Sequence, residues 1–152
     1  MKDKIVITDA SCFIILDKIG GLDILDALYR EVVTTPEIAA EYGKRLPGWV
    51  QVRAVEDRGR LYDYAETVDI GEASAMVLAA EIKADKLIID DMQGRKFART
   101  LGLEVIGTVG VILEAKREGF IPAVTPYLLS IRETNFRLSD RVMGLILREA
   151  GE

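Results

Sequence analysis

Apolar positions along the chain follow two rhythms in turn. Short β-branched runs recur at Lys4 to Thr8 (KIVIT), Glu31 to Val33, Lys86 to Ile89 and Leu103 to Ile106. Their length and composition predict buried strands. Longer stretches with helical spacing lie between them. Ser11 to Lys18 predicts a short helix closed by Gly20-Gly21, and Leu22 to Tyr29 predicts a second. Thr35-Pro36 opens a helix to about Arg45, with Thr35 as N-cap and Pro36 in the first turn. Gly71 to Lys83 is an Ala- and Leu-rich helix. Further helices are predicted over Met92 to Leu101, Thr108 to Glu118, Thr125 to Glu133 and Ser139 to Glu149, with Gly102 and Gly119 as stops for the first two.

Two stretches fit less well. Trp49 to Val55 alternates and predicts a strand at a sheet edge, while Glu56 to Thr67 is charged and fits no period. Strands nonetheless alternate with helices along most of the chain. That order predicts a three-layer α/β/α domain with a mostly parallel central sheet and extra helices at the C-terminal end. No repeat, low-complexity tract or linker divides the sequence. Residues 1–152 read as one domain, a length that supports a core without staples.

Composition narrows the chemistry. Hydrophobic residues are 49% and charged residues 30%, the balance of a soluble globular protein. No apolar run approaches the roughly 20 residues that span a bilayer, and Met1 to Thr8 lacks a signal peptide's cleavage site. With Cys12 as the sole cysteine, no internal disulfide can form. A cytoplasmic protein is expected. There are no histidines. Ser-His-Asp and Cys-His catalysis and His-based zinc sites are therefore excluded. Hydrolysis must use carboxylates, Lys, Tyr, Ser or a metal ion. The net charge of −5 argues against a sequence-reading DNA-binding module. It leaves room for a nuclease whose acids sit beneath a cation.

The acids fall at telling places. Asp9 directly follows the first strand, and Asp90 and Asp91 directly follow another. Ligands in such sheets bind beyond the carboxyl ends of the strands. If these strands are parallel neighbours, like charges meet at one edge and raise one another's pKa. A hard cation such as Mg²⁺ would relieve that conflict. Glu41 and Glu37 lie one turn apart on the Pro36 helix, and Glu72 lies in the first turn of the Ala-rich helix.

Structural roles compete for each acid. Asp9 could cap the next helix, with Ser11 orienting it or capping in turn. Glu41 could lie on a solvated face, and Glu37 suits the helix dipole. Asp69 and Glu72 have capping-box spacing. One of Asp90 and Asp91 could cap the helix that follows. Arg95, Lys96 and Arg99 could meet phosphates or simply face solvent. Cys12 and the Ala/Leu stripe at 73–80 read as core.

Asp9-Ala10-Ser11 after an apolar strand resembles the Asp-x-Ser opening of PIN domains. Thr35 to Glu41 resembles the helix carrying that family's second acid, with Glu41 at the matching position. Gly71-Glu72-Ala73-Ser74-Ala75 with Leu78-Ala79 resembles the third site, and Leu87-Ile88-Ile89-Asp90-Asp91 the fourth, with Asp91 the better match. Gly107-Thr108-Val109-Gly110, Ala115-Lys116 and Gly119-Phe120-Ile121 resemble a prokaryotic PIN subgroup. The resemblance covers nearly the whole chain. It implies a PIN-like fold and a metal-dependent endoribonuclease. Asp9, Glu41, Glu72 and Asp91, with Asp90 beside them, would hold Mg²⁺ or Mn²⁺. It implies RNA as substrate and products with a 5′-phosphate and a 3′-hydroxyl. It also implies a toxin restrained by an antitoxin protein, and a homodimer.

The chain departs from the pattern twice. Glu72 stands where most PIN toxins carry Asp, and Asp90-Asp91 is a tandem pair. These departures sustain a second reading, a degenerate PIN-like module that binds RNA or protein without cutting. Phosphatases of the haloacid-dehalogenase type need a second Asp where Ser11 stands, and receiver domains order their acids differently.

Overall fold

The computed structural model describes residues 2–152; Met1 of the N-terminal stretch lies outside them. The order is β1 (Ile5–Thr8), α1 (Ala10–Lys18), α2 (Asp23–Leu28), β2 (Glu31–Thr34), α3 (Pro36–Tyr42), β3 (Val50–Val52), α4 (Arg58–Tyr64) and α5 (Ile70–Ile82). Then come β4 (Lys86–Ile88), α6 (Met92–Thr100), β5 (Val105–Ile106), α7 (Thr108–Arg117), α8 (Thr125–Arg132) and α9 (Asp140–Glu149).

The five strands form one sheet in the order β3-β2-β1-β4-β5, and every pair is parallel. The expected mostly parallel sheet is thus wholly parallel. Its middle strands are apolar on both faces: Val6, Ile7, Val32, Val33, Leu87 and Ile88 are buried. That is the demand a sheet covered on both sides makes of its sequence.

Helices supply the cover. α5 packs on β1 and β4, with α3 and α4 against it. α2 packs on β2 and α7, and α7 also receives α9. α1 touches both groups through α3 and α7. Gly71 to Ala79 of α5 is buried on every side, and its small residues permit that close fit. The C-terminal helices are tied down by Glu152, whose carboxylate accepts from Val124 N, Thr125 N, Thr125 Oγ1 and Lys116 Nζ.

Several ends shift by a residue or two, β5 covering only Val105–Ile106 of the expected Leu103 to Ile106, and three stretches depart further. α3 stops at Tyr42 rather than Arg45, because Gly43 turns left-handed at φ 74° and donates back to Ala39 O. β3 lies at the sheet edge as expected but covers only Val50–Val52. The unreadable stretch contains α4. Asp57 caps it through Arg60 N, and Glu81 of α5 accepts from Glu56 N and Asp57 N just ahead of it.

β1 and β4 are the point that matters for function. From β1 the chain builds outward to β2 and β3, then crosses back to place β4 and β5 on the other side. The reversal between β1 and β4 is the switch point where doubly wound sheets open a crevice. Asp9 leaves one of these strands and Asp90 the other, and Asp9 N donates to Ile88 O at 3.0 Å.

Candidate functional site

A cleft of about 610 Å³ opens at this edge. Asp9, Glu41, Asp69, Glu72, Asp90 and Asp91 all line it, with Arg137 as its single basic residue. All five acids singled out in the sequence are therefore brought to one place, and Asp69 joins them. None of the six forms an ion pair among the described residues. The cleft is open: among the described residues, no three acidic or Cys side chains close into a compact ligand cluster.

Each acid is held by its element. Asp9 is the N-cap of α1. One carboxylate oxygen accepts from Ala10 N at 2.8 Å, which satisfies one donor of the helix start. Asp9 is only 5% exposed. Burial pushes its carboxyl up to about 7 against the pull of the Ala10 amide, and the charges of Glu41, Asp69 and Asp90 push the same way. The cap role and a ligand role are compatible here, because the second oxygen has no protein partner.

Glu72 is 7% exposed on the first turn of α5. Its carboxyl is raised to about 9, first by burial, then by a hydrogen bond with the Asp69 carboxyl and by the charges of Asp69, Asp9 and Asp91. Half of the capping box is present. Asp69 Oδ1 accepts from Glu72 N at 2.9 Å, while the Glu72 side chain engages the Asp69 carboxyl rather than its amide. Room for that carboxyl comes from Gly94 of α6. A Cβ on Gly94 would lie 2.3 Å from Glu72 Oε1 and 2.7 Å from Ile89 Cδ1.

Glu41 reaches the cleft from the end of α3. Its Oε1 lies beside Gly71, 3.6 Å from where a Cβ would stand. Its pKa is raised by burial and by Asp69. Glu37, one turn earlier, does not line the cleft and pairs with Arg58 at 3.3 Å.

The tandem acids divide the work. Asp90 is fully engaged: Oδ1 accepts from Thr108 N at 2.7 Å, and Oδ2 accepts from Thr108 Oγ1 at 2.7 Å and Ser11 Oγ at 2.8 Å. It therefore pins the start of α7 to the start of α1. Asp91 caps α6 with one oxygen, accepting from Gly94 N at 2.8 Å, and its other oxygen has no protein partner.

Sequence reasoning left out part of the lining. Asp69 was assigned to capping alone, yet it also faces the other acids. Phe136 and Arg137 come from the connection between α8 and α9, far along the chain from any acid. No local signal links them to the site. Arg95, one of three cations considered on α6, stands in a second cavity next to the cleft, while Lys96 and Arg99 line neither.

The donor set suits a hard divalent cation. The acids lining the cleft offer carboxylate oxygens, burial and neighbouring charge raise the pKa values of Asp9 and Glu72, and a glycine leaves space for the most buried glutamate. Asp9, Glu41, Glu72 and Asp91 each keep a carboxylate oxygen free of protein N–H and hydroxyl donors. Asp90 does not.

A parallel sheet with acids at its switch point defines the class, a doubly wound α/β domain that works at the carboxyl ends of its strands. The chain belongs to the PIN-domain family: a family model described as a PIN domain matches residues 5–152. PIN domains are in general nucleases that act on nucleic acids with divalent metal ions. A comparison with curated proteins found no match. No helix among the described residues is long and apolar enough to cross a membrane.

Proposed function

We propose that this PIN domain is a metal-dependent endoribonuclease that hydrolyses RNA phosphodiesters at the cleft between β1 and β4. The observation that carries the reading is six acids in one cleft with no ion pair among them, two of them buried and raised to about 7 and about 9. A fold gains no stability from such a cluster unless a cation joins it. Asp9, Glu41, Glu72 and Asp91 would hold Mg²⁺ or Mn²⁺. The bound ion would supply a water of lowered pKa and would stabilise charge on the phosphate oxygens.

The chain's own residues have distinct tasks. Asp9 and Asp91 are fixed by the helices they cap, so their free oxygens are presented without much loss of side-chain freedom. Burial and the Asp69 carboxyl raise the Glu72 carboxyl, which would release its proton to a bound cation. Asp90 is a positioning residue that locks Ser11 and Thr108 and so fixes the two helix starts flanking the cleft. With no histidine in the chain, acid–base work of the imidazole kind has no side chain to perform it.

Cleavage of end-labelled RNA in Mn²⁺, Mg²⁺ or EDTA, beside Asp9→Asn, tests the proposal. Metal-dependent cutting that vanishes in the variant, with 5′-phosphate ends, is expected. Equal cutting by both proteins, or none by either together with no Mn²⁺ binding in calorimetry, would overturn it in favour of a binding module. The toxin role, an antitoxin partner, dimerisation and a cytoplasmic location extend the same reading. Growth arrest on expression, rescued by a co-expressed neighbouring gene product, tests the first two, and sedimentation tests the third.

A further inference from the structure

Beside the acidic cleft lies a second cavity, of about 460 Å³, that the nuclease reading does not use. The two share Asp90, Met92, Phe136 and Arg137 as a common wall. The cavities differ in chemistry. The second is faced by Val109 of α7, Leu138, and Val142 and Ile146 of α9, and Phe136 stands at its junction with the cleft. Two guanidinium groups enter this apolar setting, Arg95 and Arg137. Neither makes an ion pair or hydrogen bond among the described residues, and Arg95 Nε is buried without a partner there. Arg95 is seated deliberately: a Cβ on Gly107 would come within 3.1 Å of its Nη1 and within 3.1 Å of Asp90 Oδ1.

Arg95 is half-buried and Arg137 exposed, and the one carboxylate in the wall, Asp90, is taken up by Ser11 and Thr108, so both guanidinium groups are open to an anionic ligand. Apolar walls and an aromatic ring want a flat hydrophobic one. A nucleotide carries both, and the volume lies in the range of small-ligand pockets, too small for a base-paired stem. We propose that this cavity holds the nucleotide next to the cleaved phosphodiester, its base among Phe136, Val109, Leu138 and Val142 and its phosphate on Arg95 and Arg137. The proposal rests on the nuclease reading for the word "next" and on the cavity alone for nucleotide binding. Its consequence is a specificity: the cavity sets a base preference at that position.

The test uses the full chain carrying Asp9→Asn, in EDTA, with ¹⁵N-detected titration of AMP, CMP, GMP and UMP, the corresponding nucleosides and inorganic phosphate. Amides of Gly107, Gly110, Ser139 and Val142 should shift, with monophosphates binding more tightly than nucleosides or phosphate alone and the four bases unequal. Arg95→Gln and Val142→Trp should each weaken binding about tenfold. In the metal-loaded enzyme that retains Asp9, the same two substitutions should flatten the base preference at cleavage sites. Val142 is exposed, so its replacement leaves folding intact, and a thermal melt checks Arg95→Gln. Shifts elsewhere, equal response to inorganic phosphate, or unchanged preference in both variants would overturn the proposal. Nucleotide binding in the cavity by a protein that cuts nothing would sink the nuclease reading and leave the cavity standing.

Discussion

Two carboxylates in this molecule have met opposite fates. Glu114 on α7 is partly buried and well supplied: Tyr29 Oη donates to it at 2.8 Å and Lys86 Nζ at 2.7 Å. That group joins α7 to the connection before β2 and to the start of β4. Glu72 on α5 is more deeply buried, yet its nearest polar company is acidic. A carboxylate kept for stability is given a cation and a hydroxyl. One surrounded by further carboxylates has been left waiting for something from outside the chain.

Exchanging charge for shape at each place should separate the two. Glu72→Gln and Asp9→Asn should each lower RNA cleavage in Mn²⁺ by on the order of a hundredfold to a thousandfold, while Glu114→Gln stays within about threefold in the same gel assay. Loss of activity in all three would erase the distinction. Gly94→Ala probes the acidic side by sterics alone. The new methyl collides with Glu72 Oε1 and Ile89 Cδ1, so Mn²⁺ affinity by calorimetry should fall about tenfold and stability by about 1–3 kcal/mol.

Stability should also respond to pH in a way that paired carboxylates would not produce. Asp9 and Glu72 have folded-state pKa values of about 7 and about 9 against ordinary values of 3.8 and 4.5. The folded chain therefore keeps protons that the unfolded chain has released, and stability falls as pH rises above the ordinary values of 3.8 and 4.5, the Asp9 part levelling off near 7 and the Glu72 part near 9. In EDTA the Tm should drop by roughly 10–20 °C between pH 5 and pH 8. Mn²⁺ should reduce the drop, and Glu72→Gln should flatten its upper part. A Tm that rises over that interval would show the acids to be stabilised as anions without metal. The smallest effect belongs to the paired side: Lys86→Met should cost about 1 kcal/mol in urea unfolding, because Lys86 and Glu114 keep some solvent contact.

Much of this arrangement was legible in the residues. Strand ends are marked by composition, and that composition places Asp9 and Asp90-Asp91 at the carboxyl edge. Thr35, Asp69 and Ser139 announced helix starts, and each caps through its side chain. The fold class followed from the alternation of β-branched runs with helical spacing. What stayed hidden had no local period. α4 buries only Leu61, so its seven residues show no apolar stripe. β3 ends early because the chain turns toward Glu81 of α5, a partner 24 residues beyond Asp57. The split between Asp90 and Asp91 depends on Thr108 and Ser11, one on each side of the sheet's switch point. Phe136 and Arg137 reach the cleft only because α9 docks on α7.

The central place of β1 bears on how the protein is made. β1 pairs with β2, which follows within some 25 residues, but its other edge remains bare until Lys86 to Ile88 has been translated. Until then Asp9 N has no Ile88 carbonyl, and Ser11 has no Asp90. A nascent or truncated chain thus carries half a cleft. A nuclease born on a ribosome would sit amid nucleic acid, and this strand order would withhold the second half of its cleft until β4 has emerged.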